Sequence, residues 1–237
     1  MFIILNPKYE RLRSFVSSIE DHFREEGAII HMGRNVLKTM QVDGMTLCVK
    51  HYGTPKLRQR LAIKTYKTPK GKRAFYRPLQ LRERGFESPE PVAYVSMRKG
   101  LMTNSTYFIC LKSKYSHSMA DWRDVPQAER DELIHSFAKY TARLHEGGFL
   151  HRDYSSDNIL YDKIDGRYHF SLIDTNDMSC RHKVGIERGC KSLAQLDGDE
   201  SFFDKLISYY AAERGADIET CRAYFTRATR NPKRKMQ

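Results

Sequence analysis

The feature that most constrains this 237-residue sequence is a group of polar residues placed around two short apolar runs. The group begins with His151-Arg152-Asp153, and Asn158 follows after four further residues. The apolar runs are Ile159-Leu160-Tyr161 and Phe170-Ser171-Leu172-Ile173, and the second ends at Asp174. A loop followed by a buried hairpin would bring the two aspartates and the asparagine to one point.

Three of these side chains match the needs of phosphoryl transfer from a nucleotide. The reaction requires a carboxylate that orients and deprotonates the acceptor hydroxyl, and oxygen ligands that hold magnesium against the phosphates. Asp153 is the candidate carboxylate, and Asn158 and Asp174 are the candidate metal ligands. The alternative is a surface loop in which Asp and Asn merely occupy turns, as both residues favour. The apolar runs and the upstream Val49-Lys50 favour the nucleotide site.

The region before the loop predicts a small antiparallel sheet. Short strand-like runs are separated by turn residues: 29–32, 35–42, 45–50, 92–97 and 106–111. Asp43-Gly44 between two of these runs predicts a hairpin. This pattern places Lys50 at the end of a strand.

The most specific motifs, HRDYSSDNILY (151–161) and FSLIDTNDM (170–178), are supported by GRNVLKTM (33–40), LCVKHY (47–52) and GFESPEPVAYV (85–95). Together they resemble the lipopolysaccharide kinase family, the Kdo kinase and WaaP group of the protein-kinase-like superfamily. The resemblance covers residues 33–178. It implies an α+β, protein-kinase-like two-lobed fold, with a small antiparallel β lobe and a reduced, mainly helical C-terminal lobe.

The resemblance also implies roles for the residues of the loop. Asp153 would be the catalytic base or orienting carboxylate, within a catalytic triplet that includes His151 and Arg152. Arg152 would hold the loop together electrostatically. Asn158 and Asp174 would bind Mg²⁺, with the reaction drawing its phosphate from ATP.

The nucleotide phosphates would be bound by the small lobe. Lys50 lies where protein kinases carry the lysine that pairs with the α- and β-phosphates. The glycine-rich loop is reduced to Gly33, with Arg34 and Asn35 beside it. Phosphate contact by Arg34 or by Lys38 would substitute for the missing glycines.

The sequence departs from the kinase pattern at two further points. Tyr76 stands where a helical Glu would pair with Lys50, which leaves Glu83 as the acidic residue of that segment. Asp174-Thr175-Asn176 replaces Asp-Phe-Gly, so the Phe-based switch of signalling kinases does not carry over. Asp177 is a second candidate metal ligand.

The predicted domain boundary lies between residues 112 and 113, at a hinge near 111–114. Residues 1–112 would form an N-terminal helix and a β-rich nucleotide-binding lobe, and residues 113–237 a mainly helical catalytic lobe. Apolar periodicity, start signals and stop signals predict helices. They span 9–26, 70–85, 124–147, 199–214 and 216–230, and a basic linker follows Met178.

The composition of the sequence indicates which classes of partner the protein is suited to bind. The net charge of +12 favours polyanions such as phosphorylated sugar-lipids, an anionic membrane leaflet or nucleic acid. Basic residues cluster at 64–84, beside the candidate nucleotide site, and at 227–235. The five cysteines lack CxxC spacing, which indicates neither a zinc site nor a disulfide framework. No apolar run reaches 18 residues and the N-terminus lacks signal-peptide features, so we expect a cytoplasmic protein.

The sequence therefore predicts a Mg²⁺-dependent kinase that transfers phosphate from ATP to a sugar hydroxyl of the lipopolysaccharide core, Kdo or heptose. The expected partners are ATP and an anionic sugar acceptor, with peripheral contact at the cytoplasmic face of the inner membrane. Nucleic acid is the less favoured partner. Two alternatives stay open: a pseudokinase that serves as a binding module, and a reduced atypical protein kinase that docks on ribonucleoprotein.

Overall fold

The computed structural model describes residues 1–53, 70–99, 102–180 and 182–230. The chain divides into two compact units, Met1–Lys114 and Tyr115–Gln237. The boundary expected from the sequence lies two residues before this division. Within the described residues, no helix has the length and apolar character needed to cross a membrane.

The first unit is built on a six-stranded sheet whose neighbouring strands are all antiparallel. Its strands in chain order are β1 Phe2–Leu5, β2 Ala28–Met32, β3 Asn35–Val42, β4 Met45–Tyr52, β5 Pro91–Lys99 and β6 Met102–Leu111. Their order across the sheet is β1-β5-β6-β4-β3-β2. Asp43 and Gly44 both have positive φ, 49° and 71°, which is the conformation of a tight hairpin turn and confirms the predicted hairpin. The sequence analysis did not predict β1.

The N-terminal helical segment is not one continuous helix, as the apolar spacing predicted. A 3-10 helix, Pro7–Leu12, leads into α1, Arg13–Ser17, and α2, Ile19–Glu25. The break falls at Ser18, which has φ −107° and ψ 22°, and its hydroxyl donates to the Ser14 carbonyl at 3.0 Å. Such a local bond competes with helix geometry.

The predicted apolar stripe of this segment is nevertheless buried. Leu12, Phe15, Val16, Ile19 and Phe23 share a core with sheet residues that include Met40, Leu47, Val49 and Ile109. Because side chains alternate along a strand, these sheet residues occupy one face and leave the other to a different partner.

That other face is covered by α3, Lys70–Glu83, which packs against β5 and β6. Gly71 at its start lies against the Tyr94 ring. Tyr94 pairs with Phe108, and Phe108 pairs with Lys50 on β4. The helix therefore lies on the sheet face that carries Lys50.

The second unit is mainly helical. Its helices are α4 Gln127–Glu146, α5 Ile186–Leu193, α6 Glu200–Glu213 and α7 Ile218–Arg230. The short strands β7 His117–Ser118, β8 Phe149–Leu150 and β11 Ser179–Cys180 accompany the hairpin of β9 Ile159–Ile164 and β10 Arg167–Leu172. The three helices predicted for this region are confirmed as α4, α6 and α7. The predicted linker contains α5, which the sequence analysis missed because Gly185 and Gly189 read as loop residues.

A buried polar network joins α4, α5 and α6. His145, fully buried on α4, lies 2.8 Å through Nδ1 from the Tyr210 hydroxyl and 3.2 Å through Nε2 from the Ser192 hydroxyl. Arg214 donates to the same Tyr210 oxygen at 2.5 Å and to the Val184 carbonyl at 2.6 Å. Buried polar groups need such partners, because each one left without them costs free energy.

Gly189 makes room for this network. A Cβ at residue 189 would lie 2.0 Å from the Tyr210 oxygen and 3.1 Å from His145 Nδ1. We expect Gly189→Ala to reduce the free energy of unfolding by about 1–3 kcal/mol through overpacking, although Ala is the better helix former. Urea unfolding measures this change.

The matched control is Gly185→Ala, because a Cβ at residue 185 meets no atom within 4 Å. Gly185 is the N-cap of α5, where Ala is less favourable than Gly, so this substitution is expected to cost no more than about 1 kcal/mol. In a Tyr210→Phe background the clashing oxygen is gone, so the cost of Gly189→Ala should shrink. Equal costs in both backgrounds would contradict the packing explanation.

Candidate active site

The β9–β10 hairpin places two of the predicted site residues at its open end. Ile159 and Leu172 are fully buried and directly paired. Beyond them, the Ile173 N–H donates to the Asn158 carbonyl at 3.0 Å. Asn158 and Asp174 are therefore held next to each other by backbone pairing, as the predicted hairpin required.

His151 connects this hairpin end to the loop before it. Its Nε2 lies 3.0 Å from the Ile173 carbonyl, and its Nδ1 accepts the Asp153 N–H at 3.3 Å. Because Nδ1 is the acceptor, the ring proton is on Nε2, which donates to Ile173. One imidazole thus holds the backbone of Asp153 and the residue before Asp174.

The His151 ring is 1% exposed, and burial lowers its pKa below the ordinary value. A neutral ring is the form that can accept from one side and donate on the other. Both ring nitrogens are engaged by backbone groups. This geometry favours a positioning role for His151 within the predicted catalytic triplet.

Asn158 and Asp174 each carry side-chain oxygens at the open end of the hairpin. The Asn158 amide nitrogen donates to the Asp153 carbonyl at 2.9 Å, and its amide oxygen accepts no hydrogen bond from a residue the structure describes. Asp174 adopts a left-handed conformation, φ 51° and ψ 41°, and Oδ1 accepts from the Asn176 amide at 2.7 Å. One amide oxygen and one carboxylate suit Mg²⁺, which keeps several waters and binds through few protein ligands.

The described residues contain no group of three His, Cys, Asp or Glu side chains arranged to hold a metal. A magnesium site here would therefore rest on Asn158 and Asp174 together with substrate phosphates, as is usual for nucleotide-dependent enzymes. Asp177, the second candidate ligand, ends a short 3-10 helix, Thr175–Asp177, and is half-buried.

The carboxylate candidate, Asp153, has an exposed side chain on a firmly held loop. Tyr154 beside it is fully buried, with its hydroxyl 2.8 Å from Thr141 Oγ1. The Ser156 hydroxyl accepts the Asp197 N–H at 2.8 Å. These contacts hold the loop on its buried side and leave the Asp153 carboxylate exposed.

Arg152 is also exposed and forms no ion pair within the described part of the chain. The loop-holding role expected for it is carried instead by His151, Asn158 and Ser156. The sequence analysis missed Ser156 and also Asn176, whose amide binds Asp174. An Asp-x-Asn spacing that permits a local side-chain bond was the available signal for Asn176.

The predicted phosphate-binding residues lie in the first unit, and the sheet groups most of them. Asn35 pairs with Tyr52, and Leu37 pairs with Lys50, so Asn35 and Lys50 share a sheet face. The Gly33-Arg34 turn precedes Asn35, and the Gly33 N–H donates to the Asn35 carbonyl at 3.2 Å. Gly33, Arg34, Asn35 and Lys50 therefore lie at one end of the sheet.

Lys38 does not join them. It follows Leu37 by one residue and so projects from the opposite face, where its ammonium donates to the Phe23 and Glu26 carbonyls at 2.7 and 2.9 Å. The lysine satisfies the C-terminal carbonyls of α2. The structure thus separates Lys38 from Lys50, because successive strand side chains alternate.

The two α3 residues considered for the place of the helical Glu both face solvent. Tyr76 is 42% exposed on α3, and Glu83 at the helix end is exposed and forms no ion pair with Lys50. The Lys50 ammonium lies 5.4 Å from the centre of the Tyr52 ring. Residues 64–69 of the predicted basic cluster lie outside the described residues.

Two buried histidines of the second unit link its stability to pH. Burial lowers the pKa of His145 from 6.5 to about 3, with the Arg214 charge acting in the same direction, and burial lowers the pKa of His151. Unfolding restores both to about 6.5, so the unfolded chain binds more protons below that pH. Above pH 6.5 these two groups should not change the free energy of unfolding. Below pH 6.5 each should lower the free energy of unfolding by up to about 1.4 kcal/mol per pH unit.

Urea unfolding at pH 7.5, 6.5 and 5.5 measures this dependence above the range in which carboxylates protonate. His145→Gln should flatten the slope, because it removes a buried ring that gains a proton on unfolding. An unchanged slope in His145→Gln would contradict the assigned linkage.

Comparison with known proteins supports the kinase-like architecture. A family model described as the lipopolysaccharide kinase (Kdo/WaaP) family matches residues 32–198. No curated protein sequence matches the chain. The solved structure of "WaaP in complex with acyl carrier protein" is similar with a TM-score of 0.64 and 16% identity, covering 100% of each chain. This likeness confirms the α+β, protein-kinase-like fold. Because the family model spans more than half of the sequence, the chain belongs to the lipopolysaccharide kinase (Kdo/WaaP) family.

Proposed function

We propose that this protein transfers the γ-phosphate of ATP to a sugar hydroxyl of the lipopolysaccharide core, a Kdo or heptose residue, with Mg²⁺ as cofactor. The family supports a kinase that acts on the lipopolysaccharide core. The observation that best supports phosphate transfer at this site is the pair of hydrogen bonds made by the His151 ring. It sets the Asp153 loop and the hairpin end bearing Asn158 and Asp174 in one arrangement.

Each side chain of this arrangement has a chemical task. Asp153 accepts a hydrogen bond from the acceptor hydroxyl and then its proton, so that the oxygen can attack the phosphorus. The loop holds Asp153 through its N–H, bound by His151, and through its carbonyl, bound by Asn158. The carboxylate therefore meets the hydroxyl with little reorganisation.

The phosphates require positive charge and oxygen ligands. When bound, magnesium neutralises charge that develops on the phosphate oxygens. Asn158 and Asp174 would hold the ion through their side-chain oxygens, and Lys50 would pair with the α- and β-phosphates. Gly33, Arg34 and Asn35 offer backbone and side-chain donors at the same end of the sheet as Lys50.

The acceptor and the location follow from the family and the charge. A lipopolysaccharide core sugar is part of a membrane lipid, and a net charge of +12 suits anionic substrates. We place the protein in the cytoplasm, in peripheral contact with the inner membrane. The similar WaaP structure contains acyl carrier protein, so co-purification with that protein is a direct partner test.

A second candidate function is nucleotide binding without transfer. The exposed Tyr76 favours it, because this residue stands where an active kinase carries the helical Glu that fixes its lysine. Magnesium-dependent ATP turnover by the purified protein would exclude this alternative.

Nucleotide binding can be tested by thermal shift with ATP and magnesium. The wild type should be stabilised by about 2.7 kcal/mol at a hundredfold excess of nucleotide over Kd, since a ligand that binds only the folded state stabilises it. Asp174→Ala should remove the magnesium-dependent part of the shift. Asp204→Ala, an exposed acid on α6, is the control and should shift like the wild type. Loss of the shift in Asp177→Ala alone would assign the metal to Asp177.

Catalysis can be separated from binding at Asp153. Asp153→Asn should lower phosphate transfer to core sugar by about 10²–10⁴-fold, because the base is lost, while the nucleotide-induced thermal shift remains. Asp157→Asn makes the same charge change at an exposed residue of the same loop and should transfer phosphate normally. Equal activity of the two variants would contradict the role of Asp153.

A further inference from the structure

The C-terminal helix α7 carries an exposed basic face. Arg222, Arg227 and Arg230 line a shallow groove along the helix, together with Ala223, Thr226 and Glu219. At 3.6 residues per turn these positions fall within an arc of about 140°. We call Arg222, Arg227 and Arg230 the α7 basic face.

The opposite side of the helix fixes its orientation. Cys221 is the buried residue of α7, and Phe225 is half-buried with its ring centre 4.8 Å from that of Phe203 on α6. The Asp217 carboxylate accepts the Thr220 N–H at 2.8 Å and ends the helix on its N-terminal side. The arginines are consequently held on the outward side.

Part of the positive charge of α7 lacks a neighbouring carboxylate, unlike the charge of several exposed lysines. Lys8, Lys163 and Lys205 each have a carboxylate within 3 Å. Arg222 pairs with Glu219 at 2.9 Å, but Arg227 and Arg230 form no ion pair with a residue that the structure describes. The groove therefore holds three arginines and one acid, Glu219.

The sequence from α7 to the last residue also has more basic than acidic residues. From Thr220 to Gln237 there is no Asp or Glu, whereas Lys and Arg occur at Arg222, Arg227, Arg230, Lys233, Arg234 and Lys235. A group of four to eight basic residues with little opposing charge is typical of segments that bind anionic lipid headgroups.

We propose that the α7 basic face docks on an anionic lipid leaflet, with its arginines against lipid phosphates. The argument for lipid rests on the proposed function, since a core-sugar acceptor is anchored in a membrane. Arg222 and Arg230 lie about 12 Å apart along the helix, which allows contact with more than one headgroup. Guanidinium groups bind phosphate through two parallel hydrogen bonds.

The test is sedimentation of the full-length protein with vesicles. Vesicles of phosphatidylcholine and phosphatidylglycerol at a ratio of about 7:3 are compared with pure phosphatidylcholine, at low and high salt. The protein should partition onto the anionic vesicles only, and salt should release it. Each arginine near an anionic leaflet contributes about fivefold, so Arg222→Gln/Arg227→Gln/Arg230→Gln should weaken partitioning about a hundredfold.

The matched control removes the same charge elsewhere. Arg11→Gln/Arg13→Gln/Arg24→Gln replaces three exposed arginines of the first unit. It should keep most of the wild-type partitioning. Circular dichroism and thermal unfolding check that both triple variants fold.

Several outcomes would overturn the proposal. They are absence of wild-type binding to anionic vesicles, equal losses in the two triple variants, and wild-type binding by the α7 variant. If the α7 variant lost binding to an acidic protein but kept vesicle binding, the face would belong to a protein partner. Vesicle binding requires no turnover, so failure of phosphate transfer would contradict the proposed function without deciding this result.

Discussion

The candidate site depends on the two hydrogen bonds of one buried imidazole. His151 accepts from the Asp153 backbone and donates to the Ile173 backbone, so the loop and the hairpin cannot move independently. The bond pattern requires a neutral ring, and burial supplies that condition by lowering the pKa. A charged ring would lose its acceptor and would carry an expensive buried charge.

Burial of His151 is in turn a property of the surrounding core. Tyr154 fills the space below the loop and satisfies its hydroxyl on Thr141 of α4, so the loop is anchored to the helix that leads into it. The His145 network continues this anchoring toward α5 and α6. Its Arg214 side chain is 1% exposed and is paired with Glu146, an arrangement in which loss of either partner is costly.

The site differs from a signalling kinase in what it omits. In the first unit, Gly33 is the one glycine of the turn before Asn35. In the second unit, Thr175 stands where signalling kinases carry the Phe of their switch, and the Asn176 amide binds Asp174. Asn158, Asp174 and the exposed Asp153 nevertheless occupy the motif positions of a kinase loop in the second unit.

The sequence by itself determined the local features. Asp43-Gly44 specified a hairpin through its positive-φ turn, apolar spacing specified α4 and α6, and the loop motif specified which residues meet at the end of β10. These succeeded because turn chemistry and periodicity act over a few residues.

Tertiary structure decided the rest. Lys38 points toward α2, and the N-terminal helix is interrupted at Ser18. The helix α5 forms with Gly189 packed against the Tyr210 hydroxyl, where no larger side chain would fit. The His151 ring also bonds to the Ile173 carbonyl, which is 22 residues away in the sequence, and so connects the loop to the hairpin. Each of these depends on which distant groups are brought into hydrogen-bonding or packing contact, and no local pattern encodes that choice.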